Sequence, residues 1–179
     1  MLILHDPLPG SRTIAKHAHW QPAVRELAPH EIGRFELHLL RLDARSRRLR
    51  FSSPVPDDYI GTYVRGIGGT RSVILGCFIN GWLRGAAELR SQEADWGAEA
   101  EIAFSVERAW QGRGIGGALM EAVMAAAKAR GVERLSLSYH SVNHRMSALA
   151  RKVAGSIDMI DDECIANVNV PADGAAVVA

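Results

Sequence analysis

The chain has 179 residues, of which 47% are hydrophobic and 23% charged, and its formal net charge at pH 7 is +1. This length suits one domain with a real core, and the balanced charge argues against nucleic acid as a partner because no basic excess marks the domain. The most apolar run, residues 115–129, contains Glu121 and Lys128 and is shorter than the ~20 residues that a membrane-spanning helix needs, so we expect no membrane segment.

The first 22 residues are rich in Pro, Gly and His and show no periodicity, which predicts an irregular lead-in. A short strand is predicted at 23–27. Helical spacing of apolar residues follows, at Ile32, Phe35, Leu39 and Leu42. Pro56-Asp57-Asp58 predicts the start of a second helix, because proline suits the first turn and acidic residues suit the positive end of the helix dipole.

Between these helices, residues 41–50 contain five arginines. We interpret the cluster as a solvated helix end and loop. The alternative is a docking surface for an acidic substrate or an acidic protein.

The middle of the chain predicts a β-hairpin. Residues 73–79 and 82–89 are apolar or β-branched runs that only Asn80-Gly81 separates, and this dipeptide takes the positive φ angles of a type I′ turn. Residues 100–106 alternate, with apolar side chains on one face. The other face is formed by Glu101, Ala103 and Ser105, which predicts a strand that lines a cleft.

A helix is predicted at 114–130, capped by Gly131, and is followed by a strand at 135–139. A second helix at 143–153 precedes two strands, at 157–160 and 163–170. The element order predicts a mixed α/β fold with a mostly antiparallel central sheet flanked by helices. We expect one domain over 23–170 and a flexible tail at 171–179.

Metal binding is not expected. Cys77 and Cys164 are far apart in the sequence, and no cysteine pair has metal-site spacing. His140 and His144 straddle a strand end and a helix start, which favours a polar loop. No signal-like N-terminus is present, so we expect reduced thiols and a cytoplasmic location.

A glycine-rich loop, Gln111-Gly112-Arg113-Gly114-Ile115-Gly116-Gly117, lies between a predicted strand and a long helix. Glycines allow the backbone to approach a bulky anion, and the unpaired amides and dipole of a helix start favour negative charge. Arg113 could add an ionic contact. The loop also matches the G-x-G-x-x-G pattern of the dinucleotide fingerprint. However, five residues separate its first glycine, Gly112, from the preceding strand, and no acidic residue ends the next strand.

The loop resembles the Gln/Arg-x-x-Gly-x-Gly/Ala signature of the GCN5-related N-acetyltransferases (GNAT), matched by Gln111, Gly114 and Gly116. The stretch Ala-Glu-Ile-Ala-Phe-Ser-Val before it resembles the fourth strand of that fold, and 143–152 is similar to the family's second cofactor motif. The resemblance covers about 72–170. Within the family, Leu49-Arg50-Phe51 and Glu101 most resemble a bacterial protein-lysine acetyltransferase branch. That branch often carries a regulatory nucleotide-binding domain, for which we expect no room in this chain.

The resemblance implies acetyl-CoA as co-substrate. It places the CoA pyrophosphate on the loop amides, and the pantetheine arm against the backbone of Phe104, Ser105 and Val106. A backbone N–H of Val106 or its neighbour would face the thioester oxygen. Asn143 would hold the arm from the other side.

The resemblance also implies direct attack by an amine on the thioester. Glu101 is the candidate base, with Glu88 and Glu99 as weaker alternatives. The family's tyrosine, which protonates the leaving thiolate, is replaced by Ala150. Ser147, one helical turn earlier, and Tyr139 are the candidate replacements.

The expected function is therefore an N-acetyltransferase that acts on a primary amine, either a protein lysine or a small molecule. A non-catalytic acetyl-CoA sensor is the first alternative, because Ala150 stands at the tyrosine position. A dinucleotide-dependent oxidoreductase is the second. The sequence does not identify the acceptor, and it leaves a homodimer open.

Overall fold

The computed structural model describes residues 23–67, 71–93 and 95–171. The predicted lead-in at 1–22 and nearly all of the predicted tail lie outside these residues. Five α-helices and seven strands are described, with short 3-10 turns at Pro29–Glu31 and Arg108–Trp110. In chain order they are β1 (Ala23–Glu26), α1 (Ile32–Leu40), α2 (Ala44–Phe51), α3 (Asp57–Gly66), β2 (Ser72–Ile79), β3 (Trp82–Ser91), β4 (Glu99–Val106), α4 (Ile115–Lys128), β5 (Arg134–His140), α5 (His144–Val153), β6 (Ser156–Ile160) and β7 (Glu163–Asn169).

The strands form one seven-stranded sheet in the order β1-β2-β3-β4-β5-β7-β6. The β4–β5 pair is parallel and every other pair is antiparallel. This arrangement confirms the predicted mixed, mostly antiparallel sheet with flanking helices.

The hairpin between β2 and β3 turns where the sequence predicted. Asn80 has φ 51° and Gly81 has φ 79°, which are the two positive angles that a type I′ turn requires. The β2–β3 pairing shifts by one residue at Cys77/Phe78, and β3 then pairs with β4, where Ala86 lies opposite Ser105 and Glu88 lies opposite Ala103.

Helix α4 packs on one face of the sheet and forms the larger core. Its apolar stripe contains Leu119, Val123 and Ala127, which are fully buried against β2, β3 and β4. Gly131, with φ 74°, ends the helix as predicted.

Helices α1 and α3 cover the opposite face and form a second core. Phe35, Leu39 and Ile60 are almost completely buried there, against Ile74 and Leu83 of the sheet. The two faces of β4 therefore have different environments. Ile102 and Phe104 belong to the α4 core, whereas the register places Ser105 beside Ala86 of the second core.

The arginine cluster at 41–50 differs from the predicted solvated helix end and loop. Residues 44–51 form α2, which begins at Asp43, whose Oδ1 accepts a hydrogen bond from the Ser46 amide at 3.0 Å. Arg41, Arg47 and Arg50 form ion pairs with Glu107, Asp57 and Glu88. The prediction was wrong for Arg41 and Arg50 because their partners lie 66 and 38 residues away, and for Arg47 because its partner begins the next helix.

Candidate active site

The site is a cleft where β4 and β5 separate. The two strands pair only from Glu99↔Arg134 to Glu101↔Ser136, whereas β4 pairs with β3 up to Val106 and β5 pairs with β7 up to His140. Beyond Glu101, no strand among the described residues pairs with the edge of β4 that faces β5. Backbone N–H and C=O groups that are left without a hydrogen bond cost free energy, so this edge is suited to an extended ligand that can bond to them.

Five segments surround this opening. Its walls are residues 103–106 of β4, residues 137–139 of β5, the glycine loop, the exposed side of α5 and the part of α2 around Ser46. The cleft thus lies at the carboxyl ends of β4 and β5.

The glycine loop closes one end of the cleft. Gly112 has φ 74° and Gly114 has φ 83°, a left-handed conformation that favours glycine. Gly114 is the N-cap of α4, so the amides at the start of this 14-residue helix have no helical carbonyl partner. The Gln111 side chain fixes the loop to the sheet, because its Nε2 donates to the Val106 carbonyl at 2.9 Å and to Ser46 Oγ at 3.3 Å.

Positive charge is concentrated along the walls of the cleft. Five cationic residues line it, namely Arg45, Arg50, Arg108, Arg145 and Lys152, and of these Arg50 is paired with Glu88. Arg113 does not line the cleft. Its guanidinium lies 4.9 Å from the centre of the Trp110 ring, which is itself a cleft residue. The cleft is therefore suited to a polyanionic ligand.

The structure brings together nearly all of the residues predicted to hold the cofactor. Those lining the cleft are Phe104, Ser105, Val106, Gln111, Gly112, Gly114, Ile115, Gly116, Gly117 and Asn143. Ile115 is 1% exposed, so only its backbone can face a ligand. The Asn143 side-chain oxygen caps α5 by accepting from the Met146 amide at 3.2 Å, which leaves its amide nitrogen for a ligand.

The predicted catalytic residues take different positions. Glu101 is exposed on β4, opposite Arg90 in the β3 register, and does not line the cleft. Ser147 lies on α5 but is not among the residues of that helix that line the cleft. Tyr139 is buried and does line it.

The weaker candidate bases are engaged elsewhere. Glu88 is 3% exposed and accepts hydrogen bonds from Arg50 at 2.7 Å, from Arg90 at 2.9 Å and from the Tyr63 hydroxyl. Burial, together with the nearby Glu88 carboxylate, raises the pKa of Tyr63 to about 12, so its hydroxyl keeps its proton. Glu99 is exposed and forms an ion pair with Arg134 at 2.6 Å.

A buried polar network lies behind β4. Ser105 Oγ is 2.9 Å from Nε2 of His38, a fully buried residue of α1. His38 Nδ1 is 3.6 Å from Glu107 Oε1, and Glu107 also bonds to Arg41 at 2.8 Å and to Arg84 at 2.7 Å. Burial lowers the pKa of His38, and the Glu107 carboxylate opposes this effect.

Sequence reasoning missed this network and α2. His38 falls on the predicted apolar helix at a position that continues its buried face, and no local motif connects it with Ser105, 67 residues later. The available signal for α2 was Asp43, three residues before Ser46, because this spacing is typical of a helix N-cap.

The described residues contain neither a metal-site cluster nor a membrane-spanning helix. In 23–67, 71–93 and 95–171, no cluster of His, Cys, Asp and Glu has the arrangement of a metal site. Among the helices of the same ranges, none has the length and apolarity to cross a membrane.

A family model described as "Acetyltransferase (GNAT) family" matches residues 38–155. No sequence match was found among curated proteins.

Solved structures share the fold. The GNAT domain of S. lividans PAT is similar with a TM-score of 0.68 and 22% identity, over 82% of this chain and 89% of that chain. YncA from Salmonella typhimurium, solved with acetyl-CoA, has a TM-score of 0.61 and 15% identity, over 88% and 98%. A cAMP-binding acyltransferase from Mycobacterium smegmatis has a TM-score of 0.58 and 22% identity, over 83% of this chain and 43% of that chain.

Proposed function

Because the chain belongs to the GNAT acetyltransferase family, we propose that it transfers the acetyl group of acetyl-CoA directly to a primary amine, on a protein lysine or a small molecule. The observation that carries this proposal is the unpaired edge of β4, which runs toward the glycine loop and the start of α4.

CoA binding follows from the charges and amides at the loop end of the cleft. The amides at the start of α4 and the left-handed glycines suit the pyrophosphate. The guanidinium and ammonium groups of Arg45, Arg108, Arg145 and Lys152 suit the remaining phosphate of CoA.

The pantetheine arm has the chemistry of a short extended peptide, since it contains two amides. We propose that these amides pair with backbone groups on the open edge of β4 at 104–106, apart from the Val106 carbonyl, which accepts from Gln111, as an added strand would. The Asn143 amide nitrogen supports the arm from the α5 side. An N–H of β4 near Val106 would stabilise the charge on the thioester oxygen as the amine attacks.

Glu101 is the proposed base that prepares the amine. The positions of Glu88 and Glu99 support this choice, because Glu88 is enclosed by two arginines and a tyrosine and Glu99 is paired with Arg134. Since Glu101 does not line the cleft, we propose that it acts through a water molecule.

Calorimetric titration with acetyl-CoA and with NAD tests the binding half of the proposal. We expect acetyl-CoA to bind and NAD to give no comparable heat. Preferential binding of NAD would overturn the proposal in favour of a dinucleotide enzyme.

Transfer of radiolabelled acetyl from acetyl-CoA into a cell extract, followed by separation into protein and small-molecule pools, tests the reaction and identifies the acceptor class. Label in the protein pool indicates a lysine acceptor, and label in the small-molecule pool indicates a metabolite amine. If acetyl-CoA binds but neither pool exceeds the control without enzyme, the chain is a sensor.

A further inference from the structure

Ser105 is the polar residue among the four β4 residues that line the cleft, since the others are Ala103, Phe104 and Val106. Its hydroxyl is hydrogen-bonded to the imidazole of His38, which is 0% exposed. The cleft is thus connected, through one hydroxyl, to a buried group that can hold a proton.

The opposite side of the imidazole determines which nitrogen carries its proton. His38 Nδ1 has no hydrogen-bond partner within bonding distance among the described residues, and the nearest carboxylate oxygen is that of Glu107 at 3.6 Å. Although burial alone would raise the pKa of Glu107, the neighbouring His38 ring and the hydrogen bonds from Arg41 and Arg84 lower it to about 2, so this carboxylate is ionised at neutral pH.

A proton on Nδ1 therefore faces a negative charge. The Nε2 lone pair is then available to accept the Ser105 hydroxyl proton, which is the arrangement that makes a serine–histidine pair able to pass protons. The other groups close to His38 are the guanidinium of Arg41, which directly follows α1, and the Leu83 carbonyl, and Arg41 and Arg84 hold Glu107 in place.

We propose that Ser105 and His38 form a proton shuttle for the acetyl transfer, in which the Ser105 hydroxyl contacts the reacting atoms and His38 acts through it. The inference rests on the proposed function and adds the proton donor that Ala150 cannot supply.

One proton leaves to solvent, and one passes from the nitrogen to the sulfur. An ammonium acceptor loses one proton to solvent through Glu101 before attack. As the C–N bond forms, the nitrogen gives a second proton to Ser105 Oγ, whose own proton moves to His38 Nε2. As the C–S bond breaks, the same path returns that proton to the departing thiolate. The nitrogen and the sulfur are bonded to the same carbon during transfer, so one hydroxyl can serve both.

A Ser105–His38 hydrogen bond that only connects α1 to β4 would have the same geometry. The test must therefore distinguish a role in catalysis from a role in stability. Ser91→Ala is the matched control for Ser105→Ala. Ser91 is 3% exposed on β3, and its hydroxyl donates to the Asp95 carbonyl at 2.9 Å, outside the cleft. Both variants remove one buried hydroxyl, and the Ser91 hydroxyl also accepts from the Glu93 amide at 3.2 Å, so the structural cost of Ser91→Ala is at least comparable.

The assay is the initial rate of radiolabelled acetyl transfer into cell extract at saturating acetyl-CoA. We expect Ser105→Ala and His38→Gln each to lower the rate about 100-fold, the lower range for acid–base catalysis. The double variant should be no slower than the slower of the two single variants, because the two residues act as one unit. Affinity for acetyl-CoA should stay within about twofold of wild type in every variant, and Ser91→Ala should transfer at the wild-type rate.

Two further readouts depend on the proton rather than on packing. The rate should fall as pH drops through the lowered pKa of His38, and His38→Gln should lose this contribution and keep only the pH dependence that deprotonation of the acceptor ammonium imposes. Nitrogen NMR of the histidine rings should show the His38 proton on Nδ1 at pH 7, a measurement that needs no activity.

The outcomes separate the two proposals. If wild type transfers acetyl and Ser105→Ala matches Ser91→Ala in rate, the shuttle is wrong and the transferase stands. A His38 proton found on Nε2, or an acidic limb unchanged in His38→Gln, also overturns the shuttle. If wild type transfers nothing, the proposed function and the shuttle both fail.

Discussion

Arg50 connects α2 to the buried carboxylate of Glu88 on β3. Its side chain is 8% exposed, and its Nη2 donates to Glu88 Oε2 and to the Tyr63 hydroxyl, each at 2.7 Å. We expect Arg50→Met to destabilise the protein by about 3 kcal/mol, the lower end for removing one partner of a buried ion pair, because Arg90 still neutralises the other oxygen of Glu88. For a domain of this size the loss corresponds to a fall in Tm of about 6–12 °C.

Arg90→Met is the matched control. It removes a guanidinium from the same carboxylate, but the Arg90 side chain is 39% exposed, so the expected cost is below about 1 kcal/mol. Adding Glu88→Met to Arg50→Met should recover part of the loss, because the unpaired charge is then gone.

Urea unfolding of the three variants, followed by circular dichroism, measures these differences. The midpoint should fall while the slope with urea stays unchanged. If Arg50→Met and Arg90→Met have equal unfolding free energies, burial does not control the strength of this pair and the reasoning is refuted.

Three other outcomes are expected. Gly114→Ala should weaken acetyl-CoA binding in calorimetry while Gly131→Ala should not. Both glycines have positive φ and no neighbour within 4 Å of an added Cβ, but only Gly114 lines the cleft; equal losses would contradict the loop assignment. Glu107→Gln should lower stability at pH 7. The deficit should shrink as pH falls from about 4.5 toward 2, because the lowered pKa of Glu107 makes its stabilisation present above that range and lost as it protonates. A deficit independent of pH in chemical unfolding would contradict this assignment. Asp43→Ala should destabilise α2 by about 1 kcal/mol through loss of its N-cap, measured as a shift of the urea midpoint; an unchanged midpoint would show that the cap contributes nothing.

Local chemistry made much of the fold predictable. Asn80-Gly81 can form only a few turns, so the place of the hairpin follows from two residues, whereas its register also depends on the shift at Cys77/Phe78. The apolar stripe of α4 and the glycine after its end were predictable for the same reason, because both depend on residues of one helix. The glycine loop was predictable for the same reason, because its conformation and its amides depend on residues next to one another.

Contacts between distant segments were not predictable in this way. The separation of β4 from β5 after Glu101 depends on how both strands pair with their other neighbours. The bond between His38 and Ser105 joins residues 67 positions apart, and the Arg50–Glu88 pair joins residues 38 apart. Such pairs leave no periodic signal, so a buried histidine looks like a core residue and a paired arginine looks like a solvated one.

We propose that this cleft transfers acetyl from acetyl-CoA to an amine with the help of a β4 carboxylate. Radiolabelled transfer into cell extract, compared for wild type, Glu101→Gln and Glu99→Gln, decides between this function and its alternatives. Both glutamates are exposed on the same face of β4, two residues apart. We predict transfer by wild type and Glu99→Gln, and a rate about 100-fold lower in Glu101→Gln with acetyl-CoA affinity retained. Wild-type protein that binds acetyl-CoA but transfers nothing, or equal rates in all three proteins, would contradict the account.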